Sequence, residues 1–285
     1  MIGWRQGEWV TLPDGAEVSA LAPGPSLFET FALRSGRIAC LGDHLSRLAV
    51  ACPRLGLDPA RLMLGAAVHE ATWSAPLGGL LGRNGLTDAI VRLLVAARDD
   101  GLATEWLTVR PLPATPSAID LYQLTLRRDA PEWLPRPKSG PWRNSSDAWR
   151  ELRALADRPD AEGVQLDPRG CLSEGTRSSF AWWDGESWNF PAAETGRLPG
   201  TAMAQLRSVL AQAGRPTRDV SWPGFPLNAQ SVLVLRSTFE GGAVCARSYH
   251  ADGRLAWQPT GAQTEATRAL VWLAAWRAQR CISFA

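Results

Sequence analysis

Position 138 holds the only lysine of a 285-residue chain that carries 29 arginines. An amine can do something a guanidinium cannot. In a shielded pocket it loses its proton and adds to a carbonyl to form an imine, whereas arginine stays protonated in proteins. Compositional drift towards arginine would also remove lysines, so Lys138 gains meaning only from its company. Three other stretches carry groups of chemical interest. In "DHLSRL", His44 and Arg47 lie three apart and share one helical face, from which Arg47 could clamp a phosphate or carboxylate with its planar fork. In "LDPRGCLSEGTRSSF", Glu174 precedes a glycine and the hydroxyls of Thr176, Ser178 and Ser179, and such a carboxylate could hold a ring nitrogen in its protonated form. In "GRLPGTAM", Gly200, Thr201 and Ala202 open a helix whose free amides and dipole favour an anion.

Each feature has an ordinary explanation: a solvated arginine, a turn glutamate, a helix start like any other. Together they form an inventory. An arginine and a helix N-terminus for phosphate, a glutamate for a pyridinium and one lysine for an imine are the parts of a pyridoxal-phosphate site.

The elements that must position these groups alternate between strand and helix. "SLFETFAL" and "SGRIACL" form two short strands joined through Ser35-Gly36. "DHLSRLAVACPRLGL" has helical spacing with Asp43 as N-cap, and a second helix covers "DPARLMLGAAVHEATWSA" with Asp58 as cap and Pro59 at its first position. "DAIVRLLVAARD" and "EWLTVRPL" are strands, and the proline-rich "PLPATPSA" is the interdomain linker. Beyond it lie a strand in "DLYQLTLRR" and a helix in "SSDAWRELRALAD" capped by Ser145 or Ser146. Strands follow in "GVQLD", "SSFAWWDG" and "ESWNFP", with turns at Pro168-Arg169-Gly170 and Asp184-Gly185. A helix in "GTAMAQLRSVLAQAG" closes at Gly214, "SVLVLRST" and "AVCARSY" are strands, and "TEATRALVWLAAWRAQR" is a last helix. The expected architecture is mixed α/β (α+β) in two unequal parts: residues 1–115 as a smaller N-terminal domain, and 116–285 as a larger one bearing the Glu174 and Gly200 stretches.

Bulk properties exclude several classes of function. A hydrophobic fraction of 45%, a charged fraction of 20% and a net charge of +2 describe an ordinary globular protein with no case for nucleic acid or an anionic membrane as partner. Five cysteines without a CxxC pair argue against a disulfide framework or structural zinc and for a reducing, cytoplasmic setting. His44, His69 and His250 fall in separate elements, so no metal site is expected. The opening lacks the pattern of a signal peptide, and no apolar run reaches membrane-spanning length.

Several linked stretches, in order, resemble the class IV aminotransferase family, the pyridoxal-phosphate enzymes of fold type IV. "LFETFALRSGRIACLGDHLSRL" resembles its FET block, hairpin and H-x-x-R-L helix. "VQLDPRGCLSEGTRSSFAWWDGESWNFP" resembles its L-D-x-x-G-x-(V/L)-x-E-G-T-x-S-N-(I/L)-F block, and "GRLPGTAMAQLRSVL" its G-x-L-x-G-(I/V)-T-R helix. The resemblance implies a two-domain fold like that of D-amino-acid aminotransferase, an active site in the interdomain cleft, pyridoxal 5′-phosphate as cofactor and a homodimer. It implies that Lys138 forms the internal aldimine, that Arg47 and the amides of Thr201 and Ala202 bind the cofactor phosphate, and that Glu174 pairs with the pyridine nitrogen. "LRSTFEGG" would add Ser237 or Thr238 as a phosphate contact, and Trp142 would fill an aromatic position after the lysine.

The sequence departs from the family at several points. Glu174 follows Lys138 by 36 residues, a few more than usual, so a small insertion is required; without one the lysine column falls at Pro141 to Arg143. The family's S-N is Ser178-Ser179, its G-(I/V)-T-R is Gly200 to Met203, and the arginine after FET is replaced near Ala32. The short FET-bearing start is closest in appearance to 4-amino-4-deoxychorismate lyase, which releases pyruvate to form 4-aminobenzoate in the folate branch. A branched-chain or D-amino-acid aminotransferase would use the same parts with an amino acid substrate, and a degenerate homologue would keep the fold without the cofactor chemistry. Arg34, Arg92 and Arg110 could each bind a substrate carboxylate.

Overall fold

A computed structural model describes residues 1–13, 24–65, 69–98, 100–129, 134–140 and 143–284. The chain forms two compact units, one of Met1–Pro113, Pro137–Pro141 and Arg277–Ala285, the other of Ala114–Arg136 and Trp142–Trp276. The first crossing between units falls in "PLPATPSA". A single division at 115/116 does not anticipate the later ones, which return the Lys138 segment and the last residues to the N-terminal unit.

The sheet of the N-terminal unit is antiparallel throughout, in the order Cys281–Ser283, Arg37–Ala39, Ser26–Arg34, Ala89–Ala97, Ala103–Pro111, Ile2–Arg5, Glu8–Thr11, with Ser139–Gly140 also paired to Ser26–Arg34. The expected hairpin is present. Ser35 (φ 47°) and Gly36 (φ 68°) both adopt positive φ, the two-residue turn whose twist matches its strands. Alternation then sorts the side chains. Leu27, Phe31, Leu33, Val91, Leu93 and Val95 face the core formed with helices α1 (Leu41–Ala51) and α2 (Glu70–Asn84).

Two helix starts differ from expectation. Cys40 (φ 53°) caps α1 and its carbonyl accepts from the Asp43 amide at 3.0 Å, so Asp43 lies in the first turn, where a negative charge suits the helix dipole. Asp58 does cap, accepting from the Ala60 amide at 2.9 Å, but the element is a single 3-10 turn, Pro59–Arg61. Beyond it the amides of Leu64 and Gly65 (both 2.9 Å) and of Met63 turn to the buried Glu105 carboxylate instead of to helix carbonyls. Burial pushes the Glu105 carboxyl up, and the three amides offset part of that effect.

In the C-terminal unit the sheet runs Leu172–Gly175, Ala161–Leu166, Ala118–Gln123, Ala243–Tyr249, Ser231–Leu235, Ser179–Trp183, Trp188–Pro191, Thr217–Val220. It is mixed, with parallel pairs at 118–123/161–166, 118–123/243–249 and 188–191/217–220. "VLVL" in the strand Ser231–Leu235 is an unbroken apolar run because both its faces are buried. Val232 and Val234 join one core cluster, while Leu233 and Leu235 join the other with helices α4 (Thr201–Gln212) and α5 (Thr264–Ala278). Helix α3 (Arg143–Leu155) starts before Ser145 and Ser146, so neither is its cap; Ser145 Oγ instead accepts from Arg128 at 3.2 Å.

Candidate functional site

In the N-terminal unit the FET strand and α1 build a buried charge knot. Glu29 points to the helix face of the sheet and is fully buried. Its Oε1 accepts from Arg47 Nε at 2.7 Å and its Oε2 from Arg47 Nη2 at 2.6 Å, while His44 Nδ1 lies 2.7 Å from Oε2. The three-residue spacing noted in "HLSR" is what brings both side chains to one carboxylate. Burial alone would raise the Glu29 carboxyl, but Arg47 and His44 more than offset it and hold it at about 2. The His44 imidazole is pushed down, chiefly by burial, against the pull of Glu29, with Arg47 and Lys138 adding to the depression.

Lys138 is half-buried, with Nζ 4.6 Å from the centre of the Phe28 ring. Its carbonyl accepts from the Phe28 amide at 3.0 Å, and Ser139 and Gly140 pair with Leu27 and Ser26. Phe28 and Glu29 point to opposite faces of the sheet. On the Phe28 face the register aligns Thr30 with Arg92 and Thr108, and Ala32 with Ile90 and Arg110, so Arg34, Arg92 and Arg110 share the face over which the lysine lies. Trp142 lies outside the described residues.

The C-terminal unit holds the other group of residues. Glu174 lies in a strand of its own, Leu172–Gly175, between the expected turn at residues 168–170 and the strand that begins at Ser179. It is buried, with Oε1 2.7 Å from Nε of the fully buried Arg128 and Oε2 accepting from the Leu198 amide at 2.9 Å. Arg128 also donates to Asn144 Oδ1 at 2.7 Å, which ties Glu174 to the start of α3. Burial pulls the Arg128 guanidinium down and Glu174 pulls it back up. Leu198 stands at the entry to α4, so the carboxylate is fastened to the segment that leads to Thr201 and Ala202. Both are buried in the first turn of α4, whose N-cap, Gly200, makes no side-chain cap. A Cβ on Gly200 would sit 2.3 Å from Ser179 Oγ, so no other residue fits there without movement. Ser178 Oγ is buried without a hydrogen-bond partner among the described residues. Ser237 and Thr238 are the central residues of a turn closed by the Phe239 amide on the Arg236 carbonyl at 3.3 Å.

Comparison with known proteins gives this geometry a family. The profile described as Amino-transferase class IV matches residues 26–244. The chain belongs to the class IV aminotransferases. Enzymes of this family work with pyridoxal 5′-phosphate. No curated protein sequence matches. Among solved structures, the branched-chain aminotransferase of Thermoproteus uzoniensis is 19% identical with a TM-score of 0.75, covering 100% of this chain and 99% of that one. A provisionally named 4-amino-4-deoxychorismate lyase from Legionella pneumophila is 18% identical with a TM-score of 0.72, covering 89% and 91%. The branched-chain aminotransferase of Escherichia coli is 19% identical with a TM-score of 0.71, covering 94% and 91%. A further branched-chain aminotransferase of this fold was solved with pyridoxamine 5′-phosphate. These likenesses show the mixed α/β class IV aminotransferase fold.

Among the described residues no cluster of His, Cys, Asp or Glu could hold a metal ion, and no helix is long and apolar enough to cross a membrane. Sequence reasoning singled out Arg47, Lys138, Glu174, Thr201, Ala202, Ser237 and Thr238 but gave no role to Glu29, Arg128, Glu162 or Arg236. Glu162 had a faint signal as a carboxylate near the start of a strand buried along its whole length. Arg128, whose partner is 46 residues away, had none.

Proposed function

We propose that the chain is a pyridoxal-phosphate-dependent lyase that releases pyruvate from 4-amino-4-deoxychorismate to form 4-aminobenzoate, with Lys138 as its reactive amine. Lys138 carries the assignment: the only amine on any side chain lies over the ring of the FET phenylalanine, on a sheet face shared with three arginines. The residues present suit the cofactor. Arg47, the amides of Thr201 and Ala202, and the hydroxyls of Ser237 and Thr238 would hold its phosphate. Glu174 would accept the ring N–H. The Ser178 hydroxyl, without a partner among the described residues, and the side-chain-free entry at Gly200 are features of a cradle for a polar guest.

Bound pyridoxal 5′-phosphate supplies an electrophilic carbon for the substrate amine and a protonated ring that draws electrons from the adjacent carbon. Lys138 Nζ then takes the proton from the ring carbon bearing the substrate amine. The bond between the adjacent ring carbon and the enol-ether oxygen breaks, its electron pair leaves with that oxygen, and Lys138 returns the proton to the methylene, so that pyruvate leaves and the ring aromatises. Arg34, Arg92 and Arg110 favour an acidic substrate, since aminodeoxychorismate carries two carboxylates and a branched aliphatic amino acid carries one. The likeness to branched-chain aminotransferases keeps transamination of branched-chain or D-amino acids as the second function.

Absorbance of the reconstituted protein tests the assignment. A band near the visible edge that borohydride fixes on Lys138 is expected, with pyruvate formed from aminodeoxychorismate without an added keto acid. A Lys138→Ala protein with undiminished activity would refute the role of the lysine. Turnover that requires a keto acid would replace the lyase with an aminotransferase.

A further inference from the structure

Glu162 is fully buried in the strand Ala161–Leu166 and lies outside every role given above. Its Oε1 accepts from its neighbour's amide, Gly163, at 2.9 Å, from the Thr176 amide at 3.0 Å and from the Thr176 hydroxyl. Its Oε2 accepts from Arg236 Nη2 at 2.5 Å. The first set of bonds holds the tip of the turn that follows Glu174, closed by the Gly175 amide on the Ser178 carbonyl at 2.8 Å. The last holds the first residue of the turn that carries Ser237 and Thr238. Arg236 also lies over Phe239, the fourth residue of that turn, at 4.8 Å.

We propose that the Glu162–Arg236 pair is a positioning device that fixes the Ser237–Thr238 turn against the turn after Glu174, and so sets how tightly the cofactor phosphate is held. It rests on the cofactor assignment above and adds to it two residues that touch no reacting atom. The surroundings show that the spacing matters. A Cβ on Gly163 would lie 2.7 Å from Thr176 Cγ2, and one on Gly175 would lie 2.3 Å from Ser178 Oγ and 3.1 Å from Glu162 Cδ. Gly175 leaves the carboxylate room beside the turn, and Gly163 lets Thr176 approach the strand that carries Glu162. Burial opposes the charge on Glu162, and the Arg236 and Arg177 guanidiniums outweigh it, holding the carboxyl below its ordinary range. A buried ion pair seldom stabilises a fold more than an apolar pair of the same shape, so its distinctive contribution here is geometric.

The test compares binding of pyridoxal 5′-phosphate with that of pyridoxal, which lacks the phosphate, by titration of the apoprotein, alongside its thermal midpoint. Glu162→Gln alone strands a buried guanidinium and can fail to fold, so the decisive variant is Glu162→Gln/Arg236→Met, which removes both charges together. It is expected to melt near the wild type, to lose at least tenfold in affinity for pyridoxal 5′-phosphate and to keep pyridoxal binding within twofold. Arg236→Lys, which keeps a cation beside Glu162, is expected to retain most of the phosphate-dependent affinity. Equal losses for the two ligands, or a folded double variant with unchanged affinity for pyridoxal 5′-phosphate, would overturn the positioning role while leaving the cofactor assignment intact. Failure of the wild type itself to bind pyridoxal 5′-phosphate would remove both.

Discussion

Two of the buried ion pairs, Glu29–Arg47 in the N-terminal unit and Arg128–Glu174 in the C-terminal unit, are built in opposite senses. In the N-terminal unit the carboxylate is the enclosed partner: Glu29 is 1% exposed and Arg47 12%. In the C-terminal unit the guanidinium is enclosed: Arg128 is 0% exposed and Glu174 8%. Each time the more accessible member is the one proposed to meet the cofactor, and the enclosed member is its anchor. Pairing lets a protein keep a charged group at the edge of a core, in a fixed orientation, without leaving it uncompensated. An arginine offered to a phosphate needs a buried acid behind it, and a glutamate offered to a pyridinium needs a buried base.

Removing an anchor should therefore cost more than any other change, and the two anchors should differ in how they fail. Arg128→Met leaves Glu174 without its cation and removes the tie to Asn144 and Ser145 at the start of α3. A loss of about 3–5 kcal/mol in urea unfolding of the apoprotein is expected, largely restored in Arg128→Met/Glu174→Gln. A loss below about 1 kcal/mol, within the range of an exposed pair, would break the comparison at this end.

Glu29 is the second largest case and adds a pH signature. Its carboxyl sits at about 2 in the folded chain against an ordinary 4.5, so between those values the unfolded chain binds the proton that the folded one refuses. That stability is present above about 4.5 and is lost as pH falls towards 2. It is on the order of 3 kcal/mol by the conversion of 1.36 kcal/mol per unit. The depressed His44 acts in the same direction from higher pH: below its ordinary value near 6.5 only the unfolded chain gains the proton. Glu29→Gln should flatten the lower part of the stability–pH curve. An unchanged slope between pH 4.5 and 2 would show that the knot does not govern acid sensitivity.

The contrast between the pairs was only half legible in the sequence. Local patterns carry local structure, so the Ser35-Gly36 hairpin and the strands Ala89–Ala97 and Ala103–Pro111 were readable, although both strands are buried in long runs and not on alternate residues. Asp43 and Asp58 were recognised as helix-start residues, yet the cap before the first and the course of the chain after the second were decided elsewhere. Cys40 takes the cap of α1, and Glu105, some 40 positions on, captures the amides after Asp58's turn. The strand Cys281–Ser283 exists because it pairs with Arg37–Ala39, and no local pattern announces a partner so distant. For the same reason Arg47 and Glu174 could be singled out by type and spacing while their anchors could not. Arg128 sits in "LRRD", where nothing distinguishes it from its exposed-looking neighbour until the fold encloses it.

A smaller effect probes the entry to α4, the segment proposed to meet the cofactor phosphate, at its closest approach to Ser179. Gly200→Ala places a Cβ within 2.3 Å of Ser179 Oγ. Because Ser179 Oγ is the end of a short side chain in a strand, its room to yield is limited, and a loss of about 1–3 kcal/mol is expected by differential scanning of the apoprotein. Ser179→Ala in the same background should recover much of it. If Gly200→Ala is as stable as the wild type, the close approach is not a constraint and the cradle is looser than its geometry indicates.

The smallest expected effect on stability separates groups held for the fold from groups held for a guest. Glu29 and Arg128 each satisfy several partners, so their loss exposes unmet charge. Ser178 Oγ is buried and satisfies none among the described residues. An unpaired hydroxyl in a core contributes nothing that a methyl would not, because its desolvation has already been suffered without return. Ser178→Ala should therefore leave apoprotein stability within about 0.5 kcal/mol of the wild type, or raise it slightly. If the hydroxyl is kept for the cofactor, the same variant should weaken pyridoxal 5′-phosphate binding by a factor of about 5–10, the worth of one hydrogen bond of about 1–1.5 kcal/mol. A variant that loses stability and keeps its affinity would reverse the assignment, making Ser178 a structural residue and leaving the phosphate to Arg47, the α4 amides and the Ser237–Thr238 turn.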